Sequence, residues 1–458
     1  MRRHRRIGAA IAAIAALLVT TLVLLAWVSP PDLIRVGANF TAKTVCSNLL
    51  LANRDPAAVL ESDVQAPGHP LLRLMRIDVD RHSGVVRAGV FGFIGRGLAV
   101  ATPEFGCAVL PDGRLDPFLA HPQPLPAPSS ISLPTRAGDA ASPLEEVIAD
   151  DGLAGPGMRA ILVVRRGEPL AERYAAGFDR NTRQLGWSMT KSVTAGLIGL
   201  LVMDGRLALD RSAGLTGGGR ERITLASLLS MTSGLEFNEG YGAVSDLTRM
   251  LYLRSDMAAF AAAKPLIHPI GDVWSYSSGT AVILSRIFQA AAGPAAPGLE
   301  ASQPAVPQPA VPNFARTRLF EPLGMTSAVL EADASGTLVG SSYMYATPRD
   351  WARYGQLLAQ DGVWQGQRIL PQGFVAMMAT PVAASGGEYG YGMVRRKVGQ
   401  RDTPGIPSDT FWMTGHDGQY IAIIPSRQMV ILRMGLTPAR EGYQPGPLVA
   451  AVLAAAQQ

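Results

Sequence analysis

At 458 residues the chain exceeds one ordinary domain, and 48% hydrophobic against 17% charged residues excludes a disordered chain. Arg2, Arg3, Arg5 and Arg6 supply four of the five excess positive charges, so the remainder balances at 37 basic against 36 acidic residues. That balance leaves no stripe of cations for a phosphate backbone, and no nucleic-acid partner is expected.

Residues 7–28 form an apolar stretch broken only by Gly8, Thr20 and Thr21. As a helix it would reach roughly 33 Å, the depth of a bilayer core. Four arginines before it and Arg35 alone shortly after it predict a cytoplasmic N-terminus, with everything beyond Ser29 extracytoplasmic, on the periplasmic side. A cleaved signal peptide and secretion are the competing reading, disfavoured by the length of the run and the poor small-residue site Ala26-Trp27-Val28. Paired arginines also allow a twin-arginine export signal. Residues 1–30 are thus read as a cytoplasmic stub and transmembrane anchor, which makes the membrane a partner.

Cys46 and Cys107 are the only cysteines. In an export compartment a disulfide is their simplest pairing, closing a loop worth about 4 kcal/mol on the chain-entropy model. Two inert buried thiols are the alternative. Their separation offers no zinc-ligand spacing, and no metal is expected. Residues 75–80, 84–94 and 97–101 read as short strands with tight turns, so residues 31–117 form a small β-rich unit. Five prolines within residues 121–134 mark an extended spacer, and the linker is set at 118–143.

The second domain, 144–458, opens with strands at 159–166 and 171–174. Residues 187–203 are apolar on nearly every side, with Gly196 and Gly199 allowing close approach, as in a helix buried through a domain centre. Helices are expected at 224–231, 246–262, 279–291, 313–320 and 348–360. A proline- and alanine-rich excursion at 291–312 interrupts the pattern and is expected to be mobile. Residues 411–414, 420–424 and 429–434 read as adjacent antiparallel strands, and 447–456 as a closing helix. Helices inserted between N- and C-terminal strands imply an α+β fold with one sheet made from both chain ends.

Ser188-Met189-Thr190-Lys191 opens the buried helix, and three-residue spacing brings the hydroxyl and the amine onto one face. Apolar surroundings push a lysine towards its neutral form, in which it can take the proton of a serine nucleophile. With only four lysines and 28 serines in the chain, a chance Ser-x-x-Lys is expected about 0.24 times. A capping serine followed by a snorkelling lysine explains the local spacing equally well. Two further segments supply context. Trp274-Ser275-Tyr276-Ser277-Ser278-Gly279 offers a phenol and hydroxyls for proton relay, or simply a capped helix start. Thr414-Gly415-His416-Asp417-Gly418-Gln419 leads into a strand, where glycine permits close backbone approach by a ligand, or forms a plain hairpin turn.

In this order, together with residues 224–235 and 340–345, these segments resemble the serine β-lactamase and penicillin-binding-protein superfamily. The likeness is strongest to class C β-lactamase-like hydrolases, which include esterases, D-amino-acid peptidases and 6-aminohexanoate-dimer hydrolases, and it runs from about Leu144 to the C-terminus. The unit before it looks like the N-terminal segment of some exported relatives. The resemblance implies a β-lactamase/transpeptidase-like fold, Ser188 as the acylated nucleophile, Lys191 as its base and Tyr276 as proton carrier. It also implies an oxyanion hole from the N–H groups of Ser188 and Gln419, substrate contacts from Ser278, His416, Gly418 and Tyr241, and no cofactor. His416 stands where penicillin-recognising members carry a lysine, which disfavours an antibiotic substrate. Strand alternation is expected to turn Asp417 away from His416. The reaction implied is hydrolysis of a small ester, amide or peptide-like substrate through an acyl-enzyme. A DD-peptidase or β-lactamase is the alternative enzyme, and a non-hydrolytic envelope sensor or binding protein the alternative of another class.

Overall fold

The computed structural model describes residues 2–119, 123–125, 142–242, 244–293, 314–394 and 403–456. Most of the proline-rich linker and nearly all of the 291–312 excursion lie outside these residues. Helix α1 (Arg2–Val28) covers the segment expected to cross a bilayer. Among the described residues, however, no helix is long and apolar enough to span a membrane. Spanning requires about 20 consecutive, predominantly apolar residues. The transmembrane anchor, the membrane as a partner and the periplasm-side placement derived from them are overturned by this finding.

The first unit is less purely β than its sequence suggests, because α2 (Asp32–Ala52) is a 21-residue helix. It packs across an antiparallel sheet of β1 (Met75–Asp80), β2 (Val85–Val90), β3 (Ile94–Thr102) and β4 (Gly106–Val109), in that spatial order. The helix lies close enough to β3 that a Cβ on Gly97 would meet the Ala38 backbone at 2.2 Å. Cys46 on α2 and Cys107 on β4 form a disulfide that ties helix to sheet.

In the second unit, β5 (Met158–Arg165) and β6 (Glu168–Tyr174) precede a three-stranded patch of β7 (Gln184–Leu185), β8 (Val329–Leu330) and β9 (Met344–Ala346). A two-residue hairpin follows, β10 (Val363–Trp364) with β11 (Gln367–Arg368), and then β12 (Phe411–Gly415), β13 (Gln419–Ile424) and β14 (Met429–Gly435). The main sheet runs β12-β13-β14-β5-β6, all antiparallel, so both ends of the domain build it. Alternate residues face opposite layers, as the period-2 pleat requires. Leu162, Ile421, Ile423, Val430 and Leu432 join the large core under helices Met189–Met203 and Pro348–Ala359. Ile161, Val163, Ala422, Ile424 and Ile431 face the closing helix Gly446–Ala455 instead.

Helix Met189–Met203 is buried along its length except near its C-terminal end, and its two glycines admit neighbours. A Cβ on Gly196 would come within 2.5 Å of Tyr354 Oη, and one on Gly199 within 2.6 Å of the Phe374 ring. The helix expected at 246–262 is two helices, Asp246–Leu253 and Met257–Ala262. Asp256 divides them by capping the second, accepting from the N–H of Ala259.

Candidate active site

A tight fit and a left-handed turn bring Ser188 to the surface of a cleft. Gly186 is pressed against the indole of Trp351, which a Cβ would meet at 2.2 Å. Trp187 then takes a left-handed conformation, φ 48°, rare for a bulky residue and held here by its surroundings. Ser188 follows as the residue before the first helical position of Met189–Met203, without capping that helix by its side chain. Its hydroxyl is left to Lys191, whose Nζ lies 3.0 Å away.

Lys191 is buried, and its amine has two further partners: Ser278 Oγ at 3.0 Å and the Ser341 carbonyl at 3.0 Å. Burial lowers its pKa to about 8, although the nearby Glu239 carboxylate pulls the other way. The amine therefore has a substantial neutral fraction just above neutral pH. Glu239 closes the chain. It accepts from the Ser278 Oγ at 2.5 Å and the Ser278 N–H at 2.8 Å, and burial raises its own pKa against the pull of Lys191. Sequence reasoning singled out Ser188, Lys191 and Ser278 but missed Glu239, which sits in the irregular stretch Asn238-Glu239-Gly240 where no periodicity marks it.

Tyr276 stands over this group, with Lys191 Nζ 4.8 Å from its ring centre and Ser188 within hydrogen-bonding reach of its hydroxyl. Burial, assisted by the Glu239 charge, raises the phenol pKa, so the proton stays on oxygen. Trp274 and Tyr389 pack against Tyr276, ring centres 6.4 and 5.8 Å away, and the three rings wall one side.

The opposite wall is the end of the main sheet. Gly415 approaches the nucleophile turn so closely that a Cβ would lie 2.3 Å from the Gly186 carbonyl. Residues 416–418 form the turn between β12 and β13, with Asp417 at φ 56°. That turn corrects the expectation from strand alternation, because His416 Nε2 lies 3.3 Å from Asp417 Oδ1. His416 also stacks on Tyr241, ring centres 3.8 Å apart, and meets the edge of Trp187 at 5.7 Å.

Together these residues enclose a cleft of about 340 Å³ lined by Ser188, Glu239, Tyr241, Tyr276, Glu388 and His416 among others. Two expected substrate contacts do not line it. Ser278 is fully buried between Lys191 and Glu239. Gly418, at φ 85°, turns towards the Arg433 guanidinium. The Gln419 side chain is likewise occupied, donating to the carbonyls of His416, Asp417 and Gly435 and accepting from the Gly435 N–H. Its role is to hold the turn. Among the described residues no three His, Cys, Asp or Glu side chains gather as a metal-ligand set.

A serine and a buried lysine at the head of a central helix, beside an antiparallel α+β sheet, define the class of β-lactamase-fold serine hydrolases. The β-lactamase family model matches residues 148–456, more than half of the chain, and the protein belongs to that family. It is 26% identical over 260 residues to a 6-aminohexanoate-dimer hydrolase of Paenarthrobacter ureafaciens, the match covering 53% of this chain and 60% of that one. The chain thus spans less than two thirds of this curated relative. A solved structure of a candidate 6-aminohexanoate-dimer hydrolase from Bacillus anthracis superposes with a TM-score of 0.54 at 22% identity, over 68% of this chain and 81% of that one. A family VIII carboxylesterase superposes with a TM-score of 0.52 at 15% identity, over 69% and 96% respectively. At these identities the structures share the fold.

Proposed function

We propose that this protein hydrolyses a small ester or amide through an acyl-enzyme on Ser188, in the manner of an esterase or a 6-aminohexanoate-oligomer hydrolase. The observation that carries this reading is the 3.0 Å approach of Lys191 Nζ to Ser188 Oγ at the floor of the cleft. Neutral Lys191 takes the serine proton as Oγ attacks the carbonyl carbon. The family resemblance assigns the oxyanion to the backbone N–H groups of Ser188 and Gln419. Tyr276 relays that proton to the leaving alcohol or amine, giving its own hydroxyl proton as it takes one from the Lys191 ammonium, and the C–O or C–N bond breaks. Water, deprotonated by the same groups, releases the acid and restores Ser188.

The cleft chemistry favours this reading over a peptidase or β-lactamase acting on acid-bearing substrates. Among the described residues no lysine or arginine lines it, while Glu239 and Glu388 both do. A substrate carboxylate would meet repulsion there. A panel of p-nitrophenyl esters, D-amino-acid amides, aminohexanoate oligomers and a chromogenic cephalosporin tests the proposal. Turnover of an ester or amide is expected, with Ser188→Ala at least about 10³-fold slower. Turnover of the cephalosporin alone would favour the lactamase, and no turnover of any would refute hydrolysis.

A further inference from the structure

The N-terminal unit reaches the back of the cleft through one buried carboxylate. Glu331 is fully buried, and it accepts from Lys43 Nζ, from Ser47 Oγ at 2.7 Å and from the Cys107 N–H at 2.7 Å. All three donors belong to the two segments that the disulfide joins. Lys43, Cys46 and Ser47 share one face of α2, and Cys107 is the partner cysteine on β4. Gly106, at φ 67°, makes room for the carboxylate, because a Cβ there would come within 2.4 Å of Glu331 Oε1. Lys43 Nζ also donates to Ser47 Oγ at 2.8 Å and lies 4.4 Å from the ring centre of Tyr343.

The main chain of Glu331 faces the other way. Its N–H donates to the Tyr343 carbonyl at 2.8 Å, and its carbonyl accepts from Val339 at 2.9 Å. The segment held by these bonds, residues 339–343, presents the Ser341 carbonyl to Lys191 and the Tyr343 ring to Trp187, ring centres 6.3 Å apart. Contact is therefore continuous from the disulfide-joined cradle to the lysine and to the residue before Ser188.

We propose that the Lys43–Glu331 pair is a positioning device for the hydrolytic reaction. The N-terminal unit sets the Ser341 carbonyl and the Tyr343 ring, and through them Lys191 and the nucleophile turn. Neither Lys43 nor Glu331 touches the reacting atoms. The inference rests on the reading of Lys191 as the base.

Removing one partner alone leaves a buried unpaired charge and endangers folding. The informative variant is therefore the paired Lys43→Met/Glu331→Leu in the full chain, with Ser47→Ala as a milder one that removes a single neutral donor. Sites are counted by titration with a fluorophosphonate, so that unfolded molecules do not contribute. In the paired variant kcat per titrated site should fall about 10-fold or more, with KM for a p-nitrophenyl ester within about 3-fold. The acid limb of its pH–rate profile should move by about half a unit or more. Ser47→Ala should show the same displacement with a smaller loss, and it decides the matter alone if the paired variant does not fold. Wild-type kcat and an unmoved acid limb, with only Tm lowered, would make the pair purely structural and overturn the proposal. Wild-type protein that neither binds the fluorophosphonate nor turns over any ester would fail the hydrolase reading itself.

Discussion

At Lys191 two effects oppose each other: burial expels the charge, and Glu239 attracts it. Burial wins, leaving the amine at about 8, so kcat/KM should rise with pH through about 8 and level off above it. Replacing Glu239 by glutamine removes the carboxylate that raises the amine. The acid limb of the profile should then shift to lower pH, and a limb that stays fixed or rises would contradict the assigned coupling. Tyr241 is 39% exposed at the rim and covers His416. A stacked aromatic pair is worth about 0.5–1.5 kcal/mol, so Tyr241→Ala should raise KM roughly 2- to 10-fold with little change in kcat, as steady-state kinetics on one ester would measure. Residue chemistry was readable where a motif fixed spacing, as for Ser188 and Lys191. It was unreadable at Asp417, because a left-handed turn residue breaks the strand alternation from which its direction was inferred.

Among the elements, the join between β12 and the nucleophile turn leaves no room for a side chain at Gly415. Gly415→Ala would push the sheet end off Gly186 and open the gap across which the Ser188 and Gln419 N–H groups are proposed to meet. Losing one such donor typically costs about 10²–10³ in kcat, and Gly415→Ala should show that loss with far-UV circular dichroism unchanged. Wild-type kcat in this variant would remove the oxyanion hole from the account. The same scale explains why α2 escaped detection. Asn39, Thr41, Lys43 and Ser47 are polar yet buried, since they bond to the opposite unit or to the helix itself rather than to water. An apolar stripe is the mark of a helix packed on a hydrophobic core, and a polar interface erases it. The central helix, apolar all round, and the three C-terminal strands had no such interference.

Across the molecule the two units are latched by charge as well as by the Glu331 cradle. Asp63 lies between Arg54 and Arg159, each at 2.6 Å, and both guanidiniums lie over the Phe178 ring. Burial alone would raise the Asp63 carboxyl, but Arg159 and Arg54 outweigh it and hold it far below the usual carboxylate range. Such a depressed group contributes stability that is present above its unfolded pKa and lost as pH falls through the folded one. Asp63→Asn should therefore lower stability by about 3 kcal/mol at pH 7, the typical cost of leaving buried charges unpaired. The deficit should shrink in acid below about pH 4, as urea denaturation at several pH values would reveal. A deficit independent of pH would assign it to packing instead.

The central claim is covalent, and one measurement addresses it directly. The protein is mixed with a p-nitrophenyl ester, quenched in acid during turnover, digested and mapped by mass spectrometry. The account predicts the acyl mass on the peptide containing Ser188, and neither adduct nor turnover in Ser188→Ala. Turnover that persists in Ser188→Ala, with no acyl group on the wild-type peptide, would contradict it.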